Sequence, residues 1–203
     1  MAPATGVDRR APGANRKPCR NSAWEECILT TDLASLIRNV PDFPKPGIQF
    51  KDITTLLLQP AAFREIIDGW KARYAEKDVD VILGVDARGF IFGGALAYAM
   101  GLPFVPARKK GKLPSECISE EFALEYGTDT VEIHTDALQP GSRVVVVDDL
   151  LATGGTVGAV VRLVRRVGAE VVEAAFVVEL PLLKGRDKLT GIPVHSLVEF
   201  MVE

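Results

Sequence analysis

The chain has 203 residues, 47% of them hydrophobic and 25% charged, which is ordinary usage for a folded globular domain and excludes a collagen or a largely disordered chain. At this length folding removes roughly 70% of the unfolded surface from water, so no disulfide or metal staple is required. The net charge of −3 argues against a whole-chain nucleic-acid binder, and no apolar run approaches the ~20 residues that span a bilayer. Cys19, Cys27 and Cys117 are an odd count without C-x-x-C spacing, which argues against a disulfide framework or zinc site and fits a reducing compartment. His134 and His195 lie far apart with no second His or Cys beside either, a poor basis for a histidine triad or metal centre.

In chain order, residues 1–22 carry Arg9, Arg10, Arg16, Lys17 and Arg20 against the single acid Asp8. With no apolar core to this stretch it is not a secretory signal; it reads as a disordered basic tail, with an organelle transit peptide as the competing reading. Residues 23–203 are expected to form one domain. Thr31 or Asp32 suits the cap of a short helix reaching about Arg38. The prolines at 41, 44 and 46 then force extended or turning backbone. Pro60 opens a helix whose buried face is Phe63, Ile66, Ile67, Trp70 and Tyr74. Val79–Val85 reads as a strand, Phe90–Met100 as a small-residue helix stopped by Gly101, and Pro103–Ala107 as another strand. Residues 109–130 are polar and poorly periodic, so a long mobile segment is expected, with a strand around Val131 and Ile133. Arg143–Val147 is a uniformly apolar strand, as in sheets covered on both faces. A helix follows with Val157, Val160, Val161, Val164 and Val167 on one face, then a strand over Val171–Val178. Repeated strand–helix–strand units predict an α/β fold with a central, mostly parallel sheet flanked by helices and a ligand site at the carboxyl ends of the strands.

The stretch Val144–Thr156 carries the chemistry. Asp148 and Asp149 leave the buried strand, and a small-residue turn, Ala152, Thr153, Gly154, Gly155 and Thr156, leads directly into a helix. Amide groups at a helix start lack internal partners and carry the positive end of the dipole. Small residues let a phosphate approach them, and the threonine hydroxyls add donors. Adjacent carboxylates would repel that phosphate, so they should face hydroxyls, a metal or a developing positive charge. A phosphate attached to a polyol, a sugar phosphate, satisfies both demands. Neither a Walker loop nor G-x-G-x-x-G is present.

This segment resembles the phosphoribosyl pyrophosphate (PRPP) signature of type I phosphoribosyltransferases. Pro41–Gly47, Phe50-Lys51-Asp52-Ile53, Asp86-Ala87-Arg88-Gly89-Phe90, Arg108–Pro114, Leu124-Glu125-Tyr126-Gly127, and Val178-Glu179-Leu180 with Lys184-Gly185-Arg186 are similar to the adenine branch of that family, in order from about residue 32 onward. The resemblance implies a small N-terminal hood, a mobile lid loop over about 112–126, a homodimer and cytoplasmic location. The implied reaction converts adenine and PRPP to AMP and pyrophosphate. Magnesium would be bound mainly through substrate phosphates and waters, with no protein ligand assigned, and neither nucleic acid nor membrane is a partner.

Roles follow from the same resemblance. Ala152–Thr156 would hold the 5-phosphate, and Asp148 and Asp149 would meet the ribose and stabilise an oxocarbenium-like transition state. Asp86, Ala87 and Arg88 would form the pyrophosphate loop with a cis peptide at Asp86–Ala87, helped by Arg108, Lys109 and Lys112, part of that cluster reaching a neighbouring subunit. Glu125 would act as acid/base at the purine. Ile48, Phe50 and Leu150 would wall the base, with main-chain groups near Lys51 reading its amine. Ala87 and Gln49 depart from residues common in the family, a serine and an apolar residue. Two other readings are a phosphoribosyltransferase for xanthine or hypoxanthine, and a non-catalytic PRPP sensor; the second needs a DNA-binding module that 22 Arg-rich residues do not supply.

Overall fold

The structure is a computed structural model that describes residues 31–123 and 127–202. The described chain begins with a 3₁₀ turn, Leu33–Leu36, capped by the Asp32 side chain, which accepts from the Ser35 amide. Strands β1 (Arg38–Pro41) and β2 (Gln49–Asp52) pair antiparallel as a separate two-stranded hood, with Val40 opposite Phe50. Helices α1 (Thr54–Leu57) and α2 (Pro60–Tyr74) follow, and then β3 (Val81–Val85), α3 (Gly89–Met100) and β4 (Phe104–Lys109). Next come β5 (Cys117–Ala123), β6 (Thr128–His134), β7 (Arg143–Leu151), α4 (Gly155–Arg166), β8 (Glu170–Glu179) and β9 (Val194–Glu199).

Seven strands form one sheet in the order β5-β6-β4-β3-β7-β8-β9. The neighbours from β4 to β9 run parallel, and only the β4–β6 and β5–β6 pairs are antiparallel. Strand side chains alternate between faces, so β7 feeds two cores at once. Val144 and Val146 pack with Leu83, Val85 and the α4 valines Val157, Val160, Val161 and Val164. Val145 and Val147 pack with Ile82 and the α2–α3 residues Ile66, Trp70, Phe92 and Leu96. The Pro60 helix buries the face expected of it, with Phe63 only half-buried at its margin. Trp70 is fully buried, and truncating such a side chain typically costs ~3–5 kcal/mol.

Several segments differ from the sequence reading. The short helix expected to reach about Arg38 is a 3₁₀ turn ending at Leu36, and Arg38 opens β1, where its pairing with Asp52 in the hood takes over. Within the polar stretch 109–130, residues 117–123 form β5, paired residue by residue with β6. The apolar positions Ile118 and Phe122 are diluted by charge, yet Phe122 is buried and Glu120 is gripped by Arg162 (2.7 Å) and Arg166 (3.3 Å) of α4. Tertiary ion pairs, invisible to local periodicity, therefore order part of the segment expected to be a loop. Strand β7 also continues past Val147 to Leu151, because β8 pairs with it that far, Asp148 opposite Phe176 and Leu151 opposite Glu179.

Candidate active site

The carboxyl ends of β3, β4 and β7 meet the head of α4 around a cleft of about 180 Å³. Val85, Asp86, Ala107, Arg108, Lys109, Phe122, Asp129, Thr130, Val131, Asp148 and Thr156 line it. Gly154, at φ +72°, turns the chain from β7 into α4. The first helical bond there runs from the Gly158 amide to the Gly154 carbonyl (2.9 Å). The amides of Gly155, Thr156 and Val157 precede that ladder, which leaves the positive end of a twelve-residue helix as an anion cradle.

Asp148 and Asp149 have different surroundings. Asp148 is half-buried on the cleft, and one of its oxygens accepts from the Asp149 amide (2.9 Å). Burial and the neighbouring Asp149 carboxylate both disfavour its charge and hold its carboxyl well above the ordinary range. Asp149 is buried and ion-paired with Arg88. Arg108 and Lys109 are paired likewise. Arg108 donates to Asp86 (2.9 Å) and to the Lys112 carbonyl (3.1 Å), and Lys109 meets Asp129 at 3.0 Å. A hydrogen bond from Lys109 holds the Asp129 carboxyl below its usual value. Among the described residues, both cations lining the cleft, Arg108 and Lys109, thus have a neutralising acid beside them.

Asp86–Arg88, the segment expected to bind pyrophosphate, leaves β3 through a cis Asp86–Ala87 peptide and enters α3 at Gly89. A β-carbon at Gly89 would lie 2.6 Å from the Val147 carbonyl oxygen, so only glycine lets α3 start this close to β7. The hood lies near these groups: the Arg88 guanidinium is 5.6 Å from the Phe50 ring centre, and Phe43 packs edge-on against Phe50 at 5.2 Å. Lys51 is buried, donates to Asn39 (3.0 Å) and sits 4.3 Å from the centre of the Phe200 ring.

Residues 52–192 match the phosphoribosyl transferase domain model. An adenine phosphoribosyltransferase 1 from Triticum aestivum is 60% identical over 167 residues, which cover 82% of this chain and 92% of that protein. The chain belongs to the adenine phosphoribosyltransferase family. The crystal structure of the family member from Thermoanaerobacter pseudethanolicus aligns with TM-score 0.80 at 50% identity, covering 83% of this chain and 98% of that one. The Trypanosoma brucei structure, in complex with AMP, pyrophosphate and ribose-5-phosphate, aligns with TM-score 0.77 at 29% identity, covering 82% and 77%.

Of the residues singled out on resemblance to this family, the fold brings Asp86, Arg108, Lys109, Asp148 and Thr156 onto one cleft. Arg88 and Asp149 stand beside it as an ion pair, and Phe50 joins them through Arg88. Ala87 is exposed at the cis peptide. Ala152, Thr153, Gly154 and Gly155 form the connection into α4. Lys112 is exposed in the turn after β4 and is not among the cleft-lining residues. Ile48 is exposed, and Leu150 packs half-buried beside the α2–α3 core. Glu125, with Leu124 and Tyr126, lies outside the described residues, as does the 1–22 tail. The sequence reading passed over Phe122, Asp129 and Thr130, which reach the cleft from the β5–β6 hairpin. The alternation of Ile118 and Phe122 with polar neighbours is the available signal for that strand, while Asp129 and Thr130 carry none.

Proposed function

We infer that the protein transfers the 5-phosphoribosyl group of PRPP to adenine, releasing pyrophosphate and forming AMP. The observation that carries this reading is the convergence, on one cleft in a chain of this family, of the α4 head, the Asp148 carboxyl and the guanidinium of Arg108. The amides and hydroxyls over 152–156 suit the 5-phosphate, which needs donors and a positive dipole end. Arg88 and Arg108 suit the pyrophosphate, whose charge can draw them from Asp149 and Asp86. That exchange would leave carboxylates beside the ribose as its anomeric carbon becomes electron-poor. Fixed negative charge there stabilises the transition state more than the ground state. Magnesium fits this arrangement. A hard cation carried in on PRPP oxygens and waters needs at most one or two protein carboxylates, and Asp148 faces the cleft. When bound, such a cation offsets charge on the departing pyrophosphate. Glu125, by resemblance, would exchange the purine proton.

A homodimer is part of the proposal. Helix α3 turns an apolar stripe outward, with Ile91 42% and Tyr98 91% exposed, the kind of surface that a second copy would cover. A cytoplasmic location is also proposed: no helix among the described residues is long and apolar enough to cross a membrane, and Cys117 is a free thiol. The test is direct. Purified protein with magnesium, PRPP and each purine in turn should form AMP from adenine; IMP or XMP as the main product would move the reading to another purine, and no nucleotide with any base would remove catalysis.

A further inference from the structure

Beneath the phosphate loop lies a segment for which the reaction as described has no use: Lys184, which joins the 3₁₀ turns Pro181–Leu183 and Gly185–Lys188, with Gly185 and Arg186, which open the second. It meets the loop backbone to backbone. A β-carbon on Gly185 would press closer than 3 Å to the Ala152 carbonyl oxygen and to two Leu151 carbons. A β-carbon on Gly154 would press equally hard on the Gly185 carbonyl oxygen. The two glycines therefore permit one another's approach, and the loop rests on Gly185 with no side chain between. The buttress is itself fixed from below. Arg186 donates through Nε and Nη2 to the two carboxylate oxygens of Glu179, each at 2.6 Å; Nη2 also reaches Ser196 Oγ and Nη1 the Val194 carbonyl, both at 3.2 Å. Glu179 is buried at the end of β8, directly opposite Leu151 in the sheet. Burial raises the Glu179 carboxyl, but the bonds from Arg186 and Ser196 outweigh it and keep it below the ordinary range.

We propose that Gly185 and the Arg186–Glu179 pair are positioning residues for the 5-phosphate, setting the height of the Ala152–Gly154 backbone against the head of α4. The inference rests on the phosphate-binding role given to that loop. Donors aimed at a fixed anion lose effect steeply with displacement, and ~1 Å of misplacement can cost about 10²-fold. Lengthening the contact by one methyl group at Gly185, or loosening Arg186, should weaken the phosphate end of the substrate and spare the base.

The experiment compares wild-type protein with Gly185→Ala, Arg186→Lys and Glu179→Gln. It reads KM for PRPP, KM for adenine, and calorimetric affinity for ribose 5-phosphate, with thermal denaturation as the folding control. Gly185→Ala is expected to raise the PRPP KM and weaken ribose 5-phosphate at least about tenfold, with the adenine KM within about threefold. Arg186→Lys, which keeps charge but loses the fork, should show the same split at about three- to tenfold. If Gly185→Ala does not fold, Arg186→Lys and Glu179→Gln decide. Folded variants with unchanged ribose 5-phosphate affinity, or with both KM values raised equally, would overturn the inference while leaving the reaction intact. Wild-type protein that forms no AMP and binds no ribose 5-phosphate would overturn both.

Discussion

Asp148 and Asp149 are adjacent in sequence and unequal in chemistry. Asp148 faces the cleft with its charge disfavoured, whereas Asp149 is neutralised by Arg88. A carboxylate fixed beside developing positive charge is worth most in a site from which water is excluded. Asp148→Asn should therefore lower kcat about 10²–10³-fold with little change in thermal stability, as steady-state kinetics and denaturation would show. Near-normal turnover would remove its electrostatic role. Both acids were readable from the strand–acid–acid–small-loop order. Their different partners were not, because the Arg88 side chain comes from a separate element 61 residues earlier in the chain.

At the scale of elements, the helices differ in how much room their glycines have. Gly89 starts α3 hard against β7, while Gly69 in the middle of α2 has nothing within 4 Å of an added β-carbon. Gly69→Ala should raise stability by ~0.5–1 kcal/mol through helix propensity. Gly89→Ala should lower it by ~1–3 kcal/mol through overpacking and should also reduce activity, since α3 follows directly on the loop proposed to hold pyrophosphate. Paired melting curves check the opposite signs. The same contrast explains what periodicity reveals. The valine face of α4 and the apolar face of α2 follow from spacing alone, since a helix buries what recurs at three and four residues. The β5 strand does not, because what orders it is the grip of Arg162 and Arg166 on Glu120 and on the Ser119 and Glu121 carbonyls. The packing of Gly185 under Gly154 was equally hidden, although both glycines stood in recognisable motifs.

Across the whole molecule, charge is organised at both ends of the sheet. Far from the cleft, near the start of β8, the buried Glu173 accepts two hydrogen bonds from Arg73 (2.7 and 2.8 Å) and two from Lys77 (3.2 and 3.3 Å). Burial raises its carboxyl, but the Arg73 hydrogen bonds and the charges of Arg73 and Lys77 win and hold it at about 2, below the 4.5 of a free glutamate. A carboxyl lowered on folding contributes stability that is complete above the unfolded value and fades as pH falls from about 4.5 through about 2. Glu173→Gln should thus cost ~2–3 kcal/mol near neutral pH, and the two proteins should converge near pH 2 in chemical denaturation; a constant gap would contradict the linkage. At the other end of the sheet ion pairs line and flank the cleft, and the claim on which all else depends is where the phosphate of the proposed sugar substrate sits. The decisive measurement is a crystal structure of the protein with AMP. The expected result places the 5-phosphate within hydrogen-bond reach of the amides of residues 153–156, with the ribose beside Asp148. A phosphate bound elsewhere, leaving the head of α4 without a ligand, would contradict it.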